Sequence, residues 1–184
     1  MAKISVKAWI AVGLVGVAAA CSAVDLSDYQ ATIEQIESWK VLSDEISYKG
    51  TNRTLKAYAN AQNTAVKTIA KLNEKLTKAE AEYQKATSLK RDASGLLLVE
   101  NQPLLGKGRQ AILDRAEIQH NDVVKSVERG ITSAKKKCAE AQKITLQDLR
   151  RKLVKEKVAD EEDKGRRDEL VQRVSELIEN LTAN

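Results

Sequence analysis

The sequence predicts an all-α protein, an elongated antiparallel helical hairpin or coiled-coil bundle of about four helices. Three observations carry that expectation. Stepping by three and four from Leu55 gives Leu55, Tyr58, Gln62, Ala65, Ile69, Leu72, Leu76, Ala79, Tyr83 and Ala86, and only Gln62 breaks the apolar stripe. A heptad seam held that long needs a partner helix. The chain has 1 Pro in 184 residues, so helices can run far without a break. It has no Phe and only 3% aromatic residues, so its core must be thin and filled by Leu, Ile, Val and Ala.

Composition narrows the function classes. The formal net charge is +5, and removal of Lys3 and Lys7 takes the 31 basic residues to 29 against 26 acidic, a balance of +3. That is too mild for a nucleic-acid surface, which would also interleave stacking aromatics. Cys21 and Cys138 make no disulfide framework and have no metal-ligand spacing. With His120 as the sole histidine, an ordinary zinc site is hard to assemble. No glycine-rich phosphate loop or paired acids stand in a recognisable frame. The expectation is therefore a protein without catalysis, metal or cofactor.

The amino terminus reads as residues 1–20 of signal peptide followed by 21–26, an attachment site and short tether. Lys3 and Lys7 precede an uncharged run from Ala8, which ends in Ala18, Ala19, Ala20 and Cys21. This Ala-Ala-Ala-Cys ending resembles the lipobox of bacterial lipoproteins, departing from it at Ala18, where Leu is usual. The resemblance covers only the first 22 or so residues. It implies that Cys21 carries a diacylglycerol and an acyl chain such as palmitate after cleavage. Ser22 in place of Asp implies sorting to the outer membrane, facing the periplasm. Two or more chains hold a protein to a bilayer durably, whereas one does so only marginally. Other readings stay open. Cleavage after Ala20 by an ordinary signal peptidase would leave Cys21 a free thiol or a partner for Cys138. An uncleaved anchor is also allowed, since Ala8–Val24 is uncharged and at the short end of the ~17 to 25 residues a span needs.

Residues 27–184 form the helical bundle. Ser27 with Gln30 has capping-box spacing. Leu26, Tyr29, Ile33, Ile36, Trp39 and Ile46 recur at roughly helical intervals, which predicts a first helix to about Ser47, stopping near Gly50. Trp39 on this stripe is a core residue before it is a binding one. Thr51 or Asn52 can cap the seam helix. The sequons at Asn52 and Asn180 matter only with a eukaryotic secretion signal.

The seam helix fades after Ala86, and an apolar hairpin loop spans 93–108. Gly95 to Gly106 holds five Leu, one Val and Pro103. Glycines on both sides and the proline within predict a loop with hinges. Its leucines either dock on a partner protein or bilayer or fold back to cap the helix pair, the commoner arrangement. Any partner-binding site falls on Leu96, Leu97, Leu98, Leu104 and Leu105.

The return helix starts near Arg109. His120, Val124, Val127, Ile131, Ala134, Cys138 and Ala141 mark its seam, with Cys138 a small buried residue and His120 a spacer near the tip. Cys138 to Leu149 is a hendecad-like stutter, and Leu146, Leu149 and Leu153 continue the stripe. Asp160–Gly165 predicts a turn with acids at the start of a last helix, where its dipole favours them. Leu170, Val174, Leu177 and Leu181 edge that helix, with Val171 and Ile178 beside them. The basic clusters Lys135–Lys137, Arg150–Lys152 and Arg166–Arg167 fan round their helices and predict solvated faces.

Together these features predict a lipid-anchored, non-catalytic helical scaffold or binding protein of the bacterial cell envelope. Its partners would be membrane lipid through acylated Cys21 and an unidentified protein at the 95–106 loop; no nucleic acid is expected, and a homodimer is open. The alternative is a lysis or fusion protein like the phage inner-membrane spanins, with an uncleaved anchor and a periplasmic coiled coil.

Overall fold

The computed structural model describes residues 25–88, 97–99, 102–104 and 107–183. The bundle is all-α, with helices α1 (Ser27–Ser38), α2 (Arg53–Thr87), α3 (Lys107–Lys155) and α4 (Glu161–Ala183). Between α2 and α3 lie two three-residue strands, β1 (Leu97–Val99) and β2 (Gln102–Leu104).

The hairpin of α2 and α3 sets the architecture. Asn52 starts α2: its side-chain oxygen accepts the N–H groups of Thr54 at 2.9 Å and Leu55 at 3.2 Å. All ten positions of the heptad stripe are buried or half-buried. The two helices run antiparallel. Tyr83 near the end of α2 stacks on His120 near the start of α3, with ring centroids 4.8 Å apart. Further down, Leu72 packs so close to Gly130 that a Cβ there would stand 2.9 Å from its Cδ1. The α2 partner is about 50 Å long at 1.5 Å per residue.

The core is concentrated at one end, called here the base. Leu26, Ile33, Ile36, Leu55, Tyr58, Leu146, Leu149, Leu153, Leu170 and Val174 form one buried cluster fed by all four helices. Towards the other end only α2 and α3 remain. There Ile69, Leu72, Leu76 and Tyr83 are half-buried, because two helices cover only one side of a seam.

α1 and α4 lie side by side and parallel at the base. Arg166 donates to Gln30, and Arg173 pairs with Glu37, the same offset along both helices. Tyr29 on α1 donates to the Glu156 carboxylate just past α3, at 2.6 Å. The described chain therefore starts at the base, beside the end of α3.

α1 differs from the sequence expectation at both ends. Its start is held by Asp25, whose carboxylate accepts the Ser27 N–H at 2.9 Å; Gln30 turns to Glu34 and no capping box forms. It stops at Ser38, nine residues short of Ser47. Residues 39–52 instead form an irregular strap across α2. The strap's backbone finds its hydrogen bonds on two α2 amides. Gln62 donates to the carbonyls of Lys40 and Asp44, each at 2.9 Å. Asn63 accepts the Ile46 N–H at 2.7 Å and donates to its carbonyl at 2.9 Å. Trp39 swings out of the helix to lie against Tyr58 and Tyr48. Leu42 takes a left-handed φ of 57° to turn the strap, and Ile46 is still buried.

The expected 93–108 loop gives way to helix two residues early and is partly ordered as strand. α3 begins at Lys107, and β1 pairs antiparallel with β2 in the register Leu97↔Leu104, Leu98↔Pro103 and Val99↔Gln102. Two residues join the strands, so the closing pair is hydrogen-bonded and Leu98–Pro103 falls on the alternate pair that exchanges no N–H bonds. A residue without an N–H is tolerated there.

α4 carries its acids in the first turn as the sequence predicts, but it begins at Glu161, so most of the expected Asp160–Gly165 turn, Gly165 included, is helix. Asp160 accepts the Asp163 N–H at 2.8 Å, and Glu161, Glu162 and Asp163 occupy the first turn. Leu170 and Val174 enter the core, and Leu177 and Leu181 are half-buried beside it.

Candidate functional site

Two ends of the molecule carry the residues singled out in the sequence. At the tip, Leu97 and Leu104 face each other across the ladder and Leu98 pairs with Pro103. The Leu98 side chain is half-buried. Leu96 and Leu105 lie outside the described residues. Behind the ladder the seam ends in the Tyr83–His120 stack, whose rings are tilted by 27°. Ile112, Leu113 and Ala116 of α3 are half-buried at this end. A two-stranded hairpin this short has no second layer of its own, and such units are marginal in isolation.

At the base, the described chain begins with Asp25 and Leu26. Leu26 is buried among Leu149, Leu153 and Leu170, and the Ser27 hydroxyl and N–H hold the Asp25 carboxyl below its usual range. Cys21 lies outside the described residues, four positions before Asp25. Four residues of chain reach at most about 14 Å. Among the described residues no helix is long and apolar enough to cross a membrane.

Between the ends, Cys138 is a free thiol buried in the seam, and burial pushes its pKa up. Tyr58 lies near it, its hydroxyl pushed up to about 12 by burial and then by the Cys138 charge. Tyr29 is also pushed up to about 12, first by burial and then by its bond to Glu156. These are the responses of packed side chains. Among the described residues no three His, Cys, Asp or Glu side chains come together to hold a metal.

Two features escape a seam pattern. Gln142 sits in the stutter between Cys138 and Leu146, fully buried, with neither amide atom hydrogen-bonded. Periodicity places position 142 on the buried face, and its polar identity hid it from an apolar count. On the opposite face of α3, Gln147, Arg150, Arg151, Val154 and Lys155 line a shallow groove of about 480 Å³. The sequence shows the basic cluster there; the apolar residues standing beside it become visible only once the core face is known.

No protein-family model matches the chain, and neither a curated protein nor a solved structure matches it.

Proposed function

We propose that this chain is a non-catalytic, membrane-tethered helical scaffold of a bacterial cell envelope, held by acylated Cys21 and presenting its β1–β2 tip to a partner protein. One observation supports this most. The described chain starts at the base, and the apolar ladder stands at the opposite end of a hairpin about 50 Å long. A tether at the front of such a rod puts the tip tens of ångströms from the point of attachment. The tip then works as a contact point at a set distance from the anchor, and the seam serves as a spacer.

The test has two arms. Palmitate labelling in bacterial cells should mark the wild-type chain and not Cys21→Ser. Photo-crosslinking from position 98 should capture one protein reproducibly, and the same probe at the exposed Lys71 on the side of α2 should not. Absence of labelling removes the lipid anchor and leaves either the uncleaved, spanin-like arrangement or cleavage after Ala20 by an ordinary signal peptidase, which the length of the chain in the cell tells apart. Equal capture from both positions removes the tip as the docking point.

A further inference from the structure

We infer that the outer face of the last turns of α3 is a docking surface for an anionic lipid bilayer, with Arg150, Arg151 and Lys155 meeting headgroup phosphates and Ile144 and Val154 entering between them.

The face is defined by what α3 buries. Leu146, Leu149 and Leu153 point into the four-helix core. At 100° per residue, Ile144, Gln147, Arg151, Val154 and Lys155 fall roughly opposite. Ile144 is 60% exposed and Val154 57%, two large aliphatic side chains on one solvent face about 15 Å apart. Isolated exposed aliphatics need no explanation, but Val154 has Arg150 and Arg151 one turn before it and Lys157 three residues on, while Ile144, nearer the middle of α3, has Glu140 and Asp148. Residues 143–157 hold Lys143, Arg150, Arg151, Lys152, Lys155 and Lys157 against Asp148 and Glu156. Asp148 pairs with Arg151 at 3.2 Å, so Arg151 must trade that carboxylate for a phosphate, and Glu156 accepts from Tyr29; six basic residues against two acidic leave an excess of four. The acidic run Asp160–Asp163 opens α4, which packs on the other, core-facing side of α3. A helix face with basic residues around a few aliphatics has the chemistry of an interfacial helix on anionic lipid.

Position singles out the bilayer among polyanions. The groove lies at the base, beside the point where the described chain begins, and the 24 preceding residues, with their apolar run, all attach there. Any membrane attachment made by those residues brings this face within reach of headgroups. The surface itself does not rest on acylation of Cys21, so the two ideas are separable.

Residues 22–184 contain the whole core cluster, from Leu26 to Leu181, and lack both Cys21 and the apolar run. That chain is mixed with phosphatidylcholine vesicles, with and without phosphatidylglycerol, and the bound fraction is read by flotation. Binding is expected only with phosphatidylglycerol and should weaken with salt. Arg150→Gln with Arg151→Gln and Lys155→Gln should weaken it by about five-fold per cation, about a hundred-fold together. Lys71→Gln with Lys75→Gln and Lys78→Gln, the same charge removed from the distal half of α2, should leave it within about two-fold, since charges there lie several Debye lengths from the base. Helical melting confirms that each variant is folded. Wild type that ignores phosphatidylglycerol, or equal losses in both triple variants, would overturn the proposal. So would tighter binding to a single-stranded oligonucleotide than to the vesicles, which would make the face a nucleic-acid surface.

Discussion

Gln142→Leu should stabilise the protein by about 2 kcal/mol, because it removes two buried amide atoms that have no partner and keeps the side-chain volume. Gln142 is 0% exposed, and a buried, unpaired polar group costs about 1–3 kcal/mol relative to its hydrated state. Leu also continues the stripe from Cys138 to Leu146. The matching change at the other buried glutamine should act in the opposite direction. Gln62 is 1% exposed, but its amide nitrogen donates to both Lys40 and Asp44 carbonyls. Gln62→Leu removes one unpaired oxygen but takes the amide donor from two strap carbonyls, of which Lys40 keeps only a long contact from the Ser43 hydroxyl, for a loss of about 1–2 kcal/mol. Urea titration followed by helical circular dichroism gives both midpoints, with the slope expected to hold. For a chain of this size, about 2 kcal/mol moves the melting temperature by about 4–8 °C. Shifts of the same sign in the two variants would refute the reasoning, as would a lower midpoint for Gln142→Leu.

Leu146→Ala, in the fully buried base, should cost about 3–4 kcal/mol, whereas Leu72→Ala on the half-buried seam should cost about half as much; chemical denaturation compares them. Gly165→Ala should raise stability by about 0.5–1 kcal/mol, since the residue lies within α4 and a Cβ there meets nothing within 4 Å. Above pH 10 stability should fall, as measured by urea midpoints taken across that range. The Tyr29 and Tyr58 hydroxyls are both held up to about 12 in the fold, so the unfolded chain loses those protons first and their contribution disappears between about pH 10 and 12; Tyr29→Phe should make that part of the profile shallower, leaving the share of Tyr58. Asn63→Ala should release the strap, and faster hydrogen exchange at Ile46, whose N–H Asn63 accepts, is the reporter.

The pattern of apolar residues decided most of this fold, because a seam is a statement about burial and burial is what holds long helices together. Every position of the Leu55–Ala86 stripe is covered, and the stutter after Cys138 sits where the core widens from two helices to four. The strap could not be seen in that way. Ile46 keeps helical spacing with Ile36 and Trp39, yet the chain leaves the helix because Gln62 and Asn63 offer its backbone other partners. That choice depends on two amides that meet the strap only in the folded chain. The tip was legible as apolar and helix-breaking. Its ladder was not, since three-residue strands are too short to show a period. The basic groove was hidden for a related reason: clusters of Arg and Lys look alike on every helix until one face is known to be buried.

The uneven distribution of core along the rod has a mechanical consequence. A load pulling the tip strands apart meets one weak layer at a time, since each turn of the α2–α3 seam is shielded on a single side. The hairpin should yield progressively from its far end, like a zip. The base shares its interior among four helices and must give way as a unit, so the zip has a stop. Strain arriving at the tip would be absorbed over tens of ångströms before it reached the end where the chain begins.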